Sequence, residues 1–159
     1  ALTMLAAERG LPIVLMHWRT DGRHGPDVVG DVVDDLARAL ERALAAGAPE
    51  TSLIVDPGIG FGKSAEQNLR VLHGLDALRT LGRPILLGTS RKSTLGRVLD
   101  LPPDERLEAT LATTALGIAA GVDIVRVHDV RANVRAARMS DAIVRGVPPH
   151  VADATGGTR

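Results

Sequence analysis

Four short apolar runs, at 11–18, 52–55, 84–88 and 122–130, constrain the fold most. Each is rich in Ile, Val or Leu and is bounded by turn residues, as buried parallel strands are. Helical patterns fall between and beside them. Val28, Val29, Val32, Val33, Leu36, Leu40 and Leu44 recur at spacings of three and four, as do Leu69, Leu72, Leu75 and Leu78. Leu107, Leu111, Ala115 and Ile118 make a third stripe, and Val134, Ala137 and Val144 a weaker fourth. Gly10, Gly47, Gly82 and Gly121 stand where each helix must close before its strand. The strand starts lie about 37 residues apart on average. This repeat of helix, glycine, strand and loop predicts parallel βαβ units in one α/β domain over 1–146. Residues 147–159 carry little apolar pattern and read as a loose tail.

Two architectures use such units, a doubly wound open sheet and a (β/α)8 barrel. Four units are too few for a whole barrel, which takes about 250 residues. Yet every strand ends in polar, functional-looking side chains, as on the C-terminal face of a barrel. A dinucleotide fold concentrates its signature at the first βα turn instead.

Composition removes several function classes. Nineteen basic residues balance nineteen acidic ones, so bulk charge gives no attraction for nucleic acid or an acidic membrane. Trp18 and Phe61 are the only aromatics, too few to stack along a nucleic-acid strand. With no cysteine, neither a disulfide framework nor a Cys-zinc site is available. The weakly polar stretch 111–122 is shorter than the roughly 20 residues a membrane span needs. Glu8 and Arg9 interrupt the N-terminal segment where a secretory signal would be apolar. The expected location is the cytoplasm. The sequence opens on Ala1, in what reads as the middle of a helix.

The chemistry-bearing segments follow the strands. Asp56-Pro57-Gly58-Ile59-Gly60-Phe61-Gly62-Lys63 follows the second run. It is not a phosphate loop, because Pro57 stands where the first glycine must be. It is not a dinucleotide fingerprint, because Lys63 replaces the third glycine. Two readings stay open: an ionisable Asp beside glycines that admit a ligand, or an Asp that caps a turn. Gly88-Thr89-Ser90-Arg91-Lys92-Ser93 follows the third run. Ser90 could cap a helix beginning near Arg91 and, with two cations, form an anion site; the alternative is a capped helix with solvated cations. Arg126 and His128 are two apart and share a strand face. They call for a bound anion, or for a carboxylate such as Asp129 or Asp123. Met16 and Trp18 share one face of the first strand, with His17 on the other. Histidines 17, 24, 73, 128 and 150 lack zinc-site spacing.

Taken in order, LMHWR, VDPGIGFGK, LLGTSRK and RVHDV resemble the dihydropteroate synthase family from about residue 11 to 146. Asp104-Glu105-Arg106-Leu107 also looks like that family. The resemblance implies strands five to eight of a (β/α)8 barrel, with their helices. It implies an enzyme that joins p-aminobenzoate to 6-hydroxymethyl-7,8-dihydropterin diphosphate and releases pyrophosphate. By the same resemblance, Asp56 receives donor groups of the pterin ring and Lys92 bonds its acceptor edge. Met16, Gly60 and Gly88 line the pterin slot. Phe61 and Ser90 lie near p-aminobenzoate, whose carboxylate Ser90 meets together with a helix N-terminus. Arg126 packs over the pterin and, with His128, holds the diphosphate. Lys92, Arg126 and His128 are thus the implied catalytic set, and a homodimer the implied assembly.

The family's first half has no counterpart here. That half carries the Asn that ligates Mg2+ and a Ser-Thr-Arg-Pro loop. Mg2+ is therefore expected only in a complete enzyme, and this chain alone is expected to be inactive. The loop 19–26 departs from the family's usual Gly-Thr-Pro pattern. Two other functions fit parts of the pattern: a pterin-binding methyltransferase barrel, and a truncated, non-catalytic paralogue acting as a subunit.

Overall fold

The computed structural model describes residues 2–148. The expected tail lies, from residue 149 on, outside the described residues. Helix α1 (Leu2–Glu8) leads to strand β1 (Ile13–Met16), α2 (Val28–Ala45), β2 (Leu53–Asp56), α3 (Ala65–His73) and β3 (Leu86–Leu87). Then come α4 (Ser93–Leu99), α5 (Leu107–Ala119), β4 (Ile124–Val125) and α6 (Val130–Val144). The expected α/β class with parallel strands is what forms. β1 pairs with β2 from Ile13–Leu53 to Met16–Asp56, and β3 pairs with β4. A parallel bridge between Val55 and Ile85 joins the two pairs. Each strand thus neighbours the next in sequence, and all four C-terminal ends point one way.

The period of two sorts the strand residues. Leu53, Val55, Ile85 and Leu87 are buried under the helices, with Ile13, Leu15 and Val125 packed on them. Val14, Met16 and Ile124 take the other face and are 44%, 37% and 37% exposed. Helix α2 supplies the main covering stripe, Val28, Val32, Leu36 and Leu40. Asp27 caps it by accepting from the Gly30 N–H. Leu44, which continues the stripe in sequence, is 42% exposed.

Other expectations need correction. Three of the four strands are shorter than their apolar runs, β2 alone matching its run in length, and the run at 122–130 yields only the two residues of β4. The stripe from Leu69 to Leu78 is not one helix. It breaks at Gly74 into α3 and a 3-10 turn, Leu75–Leu81. A Cβ on Gly74 would lie 3.1 Å from both Val29 methyl groups, so α2 and this turn touch there. The stripe on α6 faces outward, with Val134 and Val144 exposed, while Asn133 and Ser140 are buried. The inner contact between α5 and α6 is polar: Thr114 Oγ1 donates to Asn133 Oδ1 at 2.7 Å. The four closing glycines, Gly10, Gly47, Gly82 and Gly121, do take positive φ.

An ionic cluster ties the exit of β1 to α2. His17 is 2% exposed, and its Nε2 lies 3.1 Å from Asp35 Oδ2. The same carboxylate accepts from Arg19 Nε at 2.6 Å and from Arg38. Arg19 holds the Asp35 carboxyl well below the ordinary range. Burial pushes His17 down to about 4, aided by the Lys63 charge and opposed by Asp35. His17 is therefore neutral at pH 7, with its proton on Nε2.

Two outcomes follow for stability. Leu36→Ala is expected to cost about 2–4 kcal/mol in urea unfolding, and Leu44→Ala less than about 1 kcal/mol. The second concerns pH. The unfolded His17 titrates near 6.5 and the folded one near 4, so the unfolded state binds more protons between those values. Stability should fall as pH drops through that window, by on the order of 3 kcal/mol. In His17→Gln the slope of urea stability over the same window should shrink; an unchanged slope would remove His17 as its source.

Candidate active site

The loop after β2 is shaped by contact with the exit of β1. Gly58, Gly60 and Gly62 all have left-handed φ, at 65°, 83° and 59°. A Cβ on Gly58 would lie 1.9 Å from the His17 carbonyl oxygen, and one on Gly62 2.3 Å from that of Arg19. Only glycine fits such an approach. Asn68, buried on α3, fixes the loop from beneath. Its Oδ1 accepts from the Gly60 N–H at 2.8 Å, and its Nδ2 donates to the Lys63 and Ser64 carbonyls. Lys63 Nζ donates to the carbonyls of Gly58 and Phe61, each at 3.0 Å. Burial pulls its pKa down to about 8.

Asp56 ends β2 and is buried. Its Oδ1 accepts from the Gly58 N–H at 2.7 Å, so the residue does cap a turn. Burial still pushes its carboxyl up, against that hydrogen bond and the charges of Arg126, Lys92 and Lys63. Capping and ligand binding are compatible, since one N–H occupies one lone pair of a carboxylate.

The loop after β3 departs from its expected form. Helix α4 starts at Ser93, is seven residues long, and has no side-chain N-cap. Ser90 caps nothing. Its Oγ accepts from the His128 N–H at 3.1 Å and lies 2.9 Å from His128 Nδ1. The cause is Arg91, whose φ of 58° turns the chain before a helix can begin. Non-glycine residues rarely hold that conformation, at a cost of about 1–2 kcal/mol. Nor is Arg91 a solvated cation. Its Nη2 and Nε donate to the two carboxylate oxygens of Asp129, at 2.8 and 3.2 Å.

That pair decides the fate of Arg126. Asp129 is taken by Arg91, and Asp123 accepts from the Ile85 N–H. Among the described residues no carboxylate forms a salt bridge with Arg126. Arg126 and His128 lie beyond the end of β4 and are exposed rather than buried on the strand. The Arg126 guanidinium lies against Gly88, where a Cβ would sit 3.3 Å from its Nη2. Lys92 reaches in from the other side. Its Nζ is 4.0 Å from the centre of the Phe61 ring, and its Cδ would be 3.1 Å from a Cβ on Gly60. Partial burial and the Arg126 charge lower its pKa.

These side chains enclose one cavity of about 460 Å³, lined by Phe61, Gly88, Ser90, Lys92, Arg126, Val127 and His128. Gly60 borders it through Lys92. Asp56 lies close enough to feel both Lys92 and Arg126. Met16 sits across the β1–β2 register from Asp56, one strand further out. The sequence-derived residues thus come together at the strand C-termini, with Met16 at the margin. Sequence reasoning gave no role to Lys63 or Asn68, and it cast Arg91 as a cation of an anion site and Asp129 as a partner for Arg126, whereas the two pair with each other. An Asn one turn into a helix whose Ser-x-x-Gln start, Ser64 to Gln67, is legible was the available signal for Asn68. The cavity presents three cationic or ionisable donors, a carboxylate at one side and an aromatic face. That set suits a planar ligand with mixed hydrogen-bonding edges and an anionic group.

Comparison with known proteins agrees with the geometry. The chain is 50% identical over 143 residues to the dihydropteroate synthase of Bacillus subtilis, covering 90% of this chain and 50% of that protein. A crystal structure of dihydropteroate synthase from Clostridium difficile with pteroic acid superposes with a TM-score of 0.88 at 46% identity, over 91% of this chain and 55% of that one. One from Xanthomonas albilineans with 4-aminobenzoic acid gives 0.86 at 37% identity, over 92% and 54%. The chain spans about half the length of the curated relatives it matches. The pterin-binding enzyme family matches residues 1–128, and the chain belongs to that family.

Proposed function

We propose that this chain supplies the strand-five-to-eight half of a (β/α)8 dihydropteroate synthase. The observation that carries the reading is the meeting of Lys92, Arg126 and His128 around one cavity beside Phe61, with Asp56 at its edge. The consecutive strand order, without a reversal, supports a barrel segment over a doubly wound sheet. The relatives with pteroic acid and 4-aminobenzoic acid support the substrate pair.

In this reading Asp56 accepts from the pterin ring's N–H groups and Lys92 Nζ donates to its acceptor edge. Met16, Gly60 and Gly88 leave a slot for the ring. Phe61 faces p-aminobenzoate, and Ser90 Oγ stands near its carboxylate. The amine nitrogen attacks the pterin methylene carbon. The C–N bond forms as the C–O bond to the diphosphate breaks, and the amine proton leaves to solvent. The protein forms no covalent intermediate; it orients the two reactants and stabilises the leaving charge. Arg126 and His128 meet that charge, and Arg126 is available because Asp129 is held by Arg91.

The residues present do not compose a Mg2+ site. Among the described residues no three His, Asp or Glu side chains gather to hold a metal ion, and no step here is routed through one. No described helix is long and apolar enough to cross a membrane. Exposed Leu116, Met139 and Ile143 on α5 and α6 suit pairing with a second copy. The methyltransferase alternative has no use for the Arg126 and His128 pair, because no diphosphate leaves there.

Lys92→Ala in the full protein should lower kcat/KM for diphosphate release at least about 100-fold. Thermal unfolding should change little, since the Lys92 side chain anchors no secondary structure. A near-normal rate would overturn the assignment of Lys92, and failure of the unaltered protein to bind p-aminobenzoate would overturn the reaction.

A further inference from the structure

Arg106 belongs to a segment that the mechanism does not use, and it is absent from the cavity wall. Its guanidinium nevertheless bonds the backbone that carries Lys92. Nη1 donates to the carbonyls of Arg91 at 2.9 Å and Lys92 at 3.3 Å. Nε and Nη2 both donate to the Leu101 carbonyl, at 2.9 and 2.7 Å, and so anchor the group to the turn after α4. Among the described residues Arg106 forms no salt bridge, although Asp104 and Glu105 precede it. Its partners are carbonyl oxygens alone.

Two further observations give this clamp a purpose. The first is the left-handed φ of Arg91, the residue that turns the chain so that Lys92 enters the cavity. A conformation of that kind persists only where its surroundings over-determine it. Arg106 holds the carbonyl side of the peptide, and Thr110 Oγ1 accepts from the Arg91 N–H at 3.3 Å. The second is Gly96, within helix α4, where alanine would favour the helix. A Cβ on Gly96 would lie 2.2 to 2.5 Å from Nη2, Cζ and Nε of Arg106. The missing side chain is the space the guanidinium occupies.

We propose that Arg106 is a positioning residue for Lys92: seated on Gly96, it locks the strained Arg91–Lys92 turn and so fixes the Lys92 ammonium in the cavity. This rests on the dihydropteroate synthase reading. Arg106→Lys keeps the charge but loses the fork that reaches three carbonyls.

The test is a double-mutant cycle in the full protein, read by calorimetric titration of pteroic acid. Arg106→Ala is expected to weaken binding about 10- to 100-fold, with Arg106→Lys giving no full rescue. In a Lys92→Ala background Arg106→Ala should add little, because the group it positions is gone. Gly96→Ala should weaken binding when Arg106 is present and cost nothing further in Arg106→Ala. If Arg106→Ala does not fold, Gly96→Ala in the two Lys92 backgrounds gives the same reading. Binding by the unaltered protein with no loss in Arg106→Ala, or with equal losses in both Lys92 backgrounds, overturns this inference alone. No binding by the unaltered protein overturns the functional reading and this inference with it.

Discussion

Strands β3 and β4 pair over two residues each, so the geometry of the cavity depends on the bonds that join the loops leaving them. Ser90 and His128 make one seam, with the serine hydroxyl held between the histidine's backbone N–H and its ring. Arg91 and Asp129 make the other, a bidentate pair. Together they bind the loop bearing Lys92 to the loop bearing Arg126. A bidentate guanidinium–carboxylate pair adds geometric definition as well as energy. The same pair occupies one of the two carboxylates that stand three residues from Arg126, the other, Asp123, accepting from the Ile85 N–H, and so leaves that cation for a ligand.

The opposite wall is held differently. The loop after β2 lies so close to the exit of β1 that glycine is needed at Gly58 and Gly62, and Asn68 and Lys63 bond its backbone from below. Rigid backbone on one side and ion-paired loops on the other place a buried carboxylate within reach of two cations. Their charges oppose the effect of burial on Asp56. The site is thereby arranged for a ligand that offers donors on one edge and negative charge at the far end.

The α/β class and the positions of the polar residues were legible in the sequence. Apolar runs marked the strands, and Asp56 and Lys92 followed two of them at short spacing, whereas Arg126 and His128 read as strand residues and instead lie beyond the end of β4. What could not be read was which charged groups pair. Asp129 is 38 residues from Arg91, and nothing in its spacing prefers Arg91 over Arg126. Ser90 looked like a helix cap because its neighbours suit a helix, whereas the left-handed turn at Arg91 moves the helix start to Ser93. The face of α6 was misread because its inner contact is polar, through Thr114 and Asn133. Periodicity of apolar residues carries no signal for such a contact.

The central claim is that the cavity between Phe61, Lys92 and Arg126 receives a pterin diphosphate. The most direct measurement is a crystal structure of the full protein with 6-hydroxymethyl-7,8-dihydropterin diphosphate. The account predicts the ring's donor edge on Asp56, its acceptor edge on Lys92, and the diphosphate between Arg126 and His128. A ring bound away from Asp56, or a diphosphate held without Arg126, would contradict it.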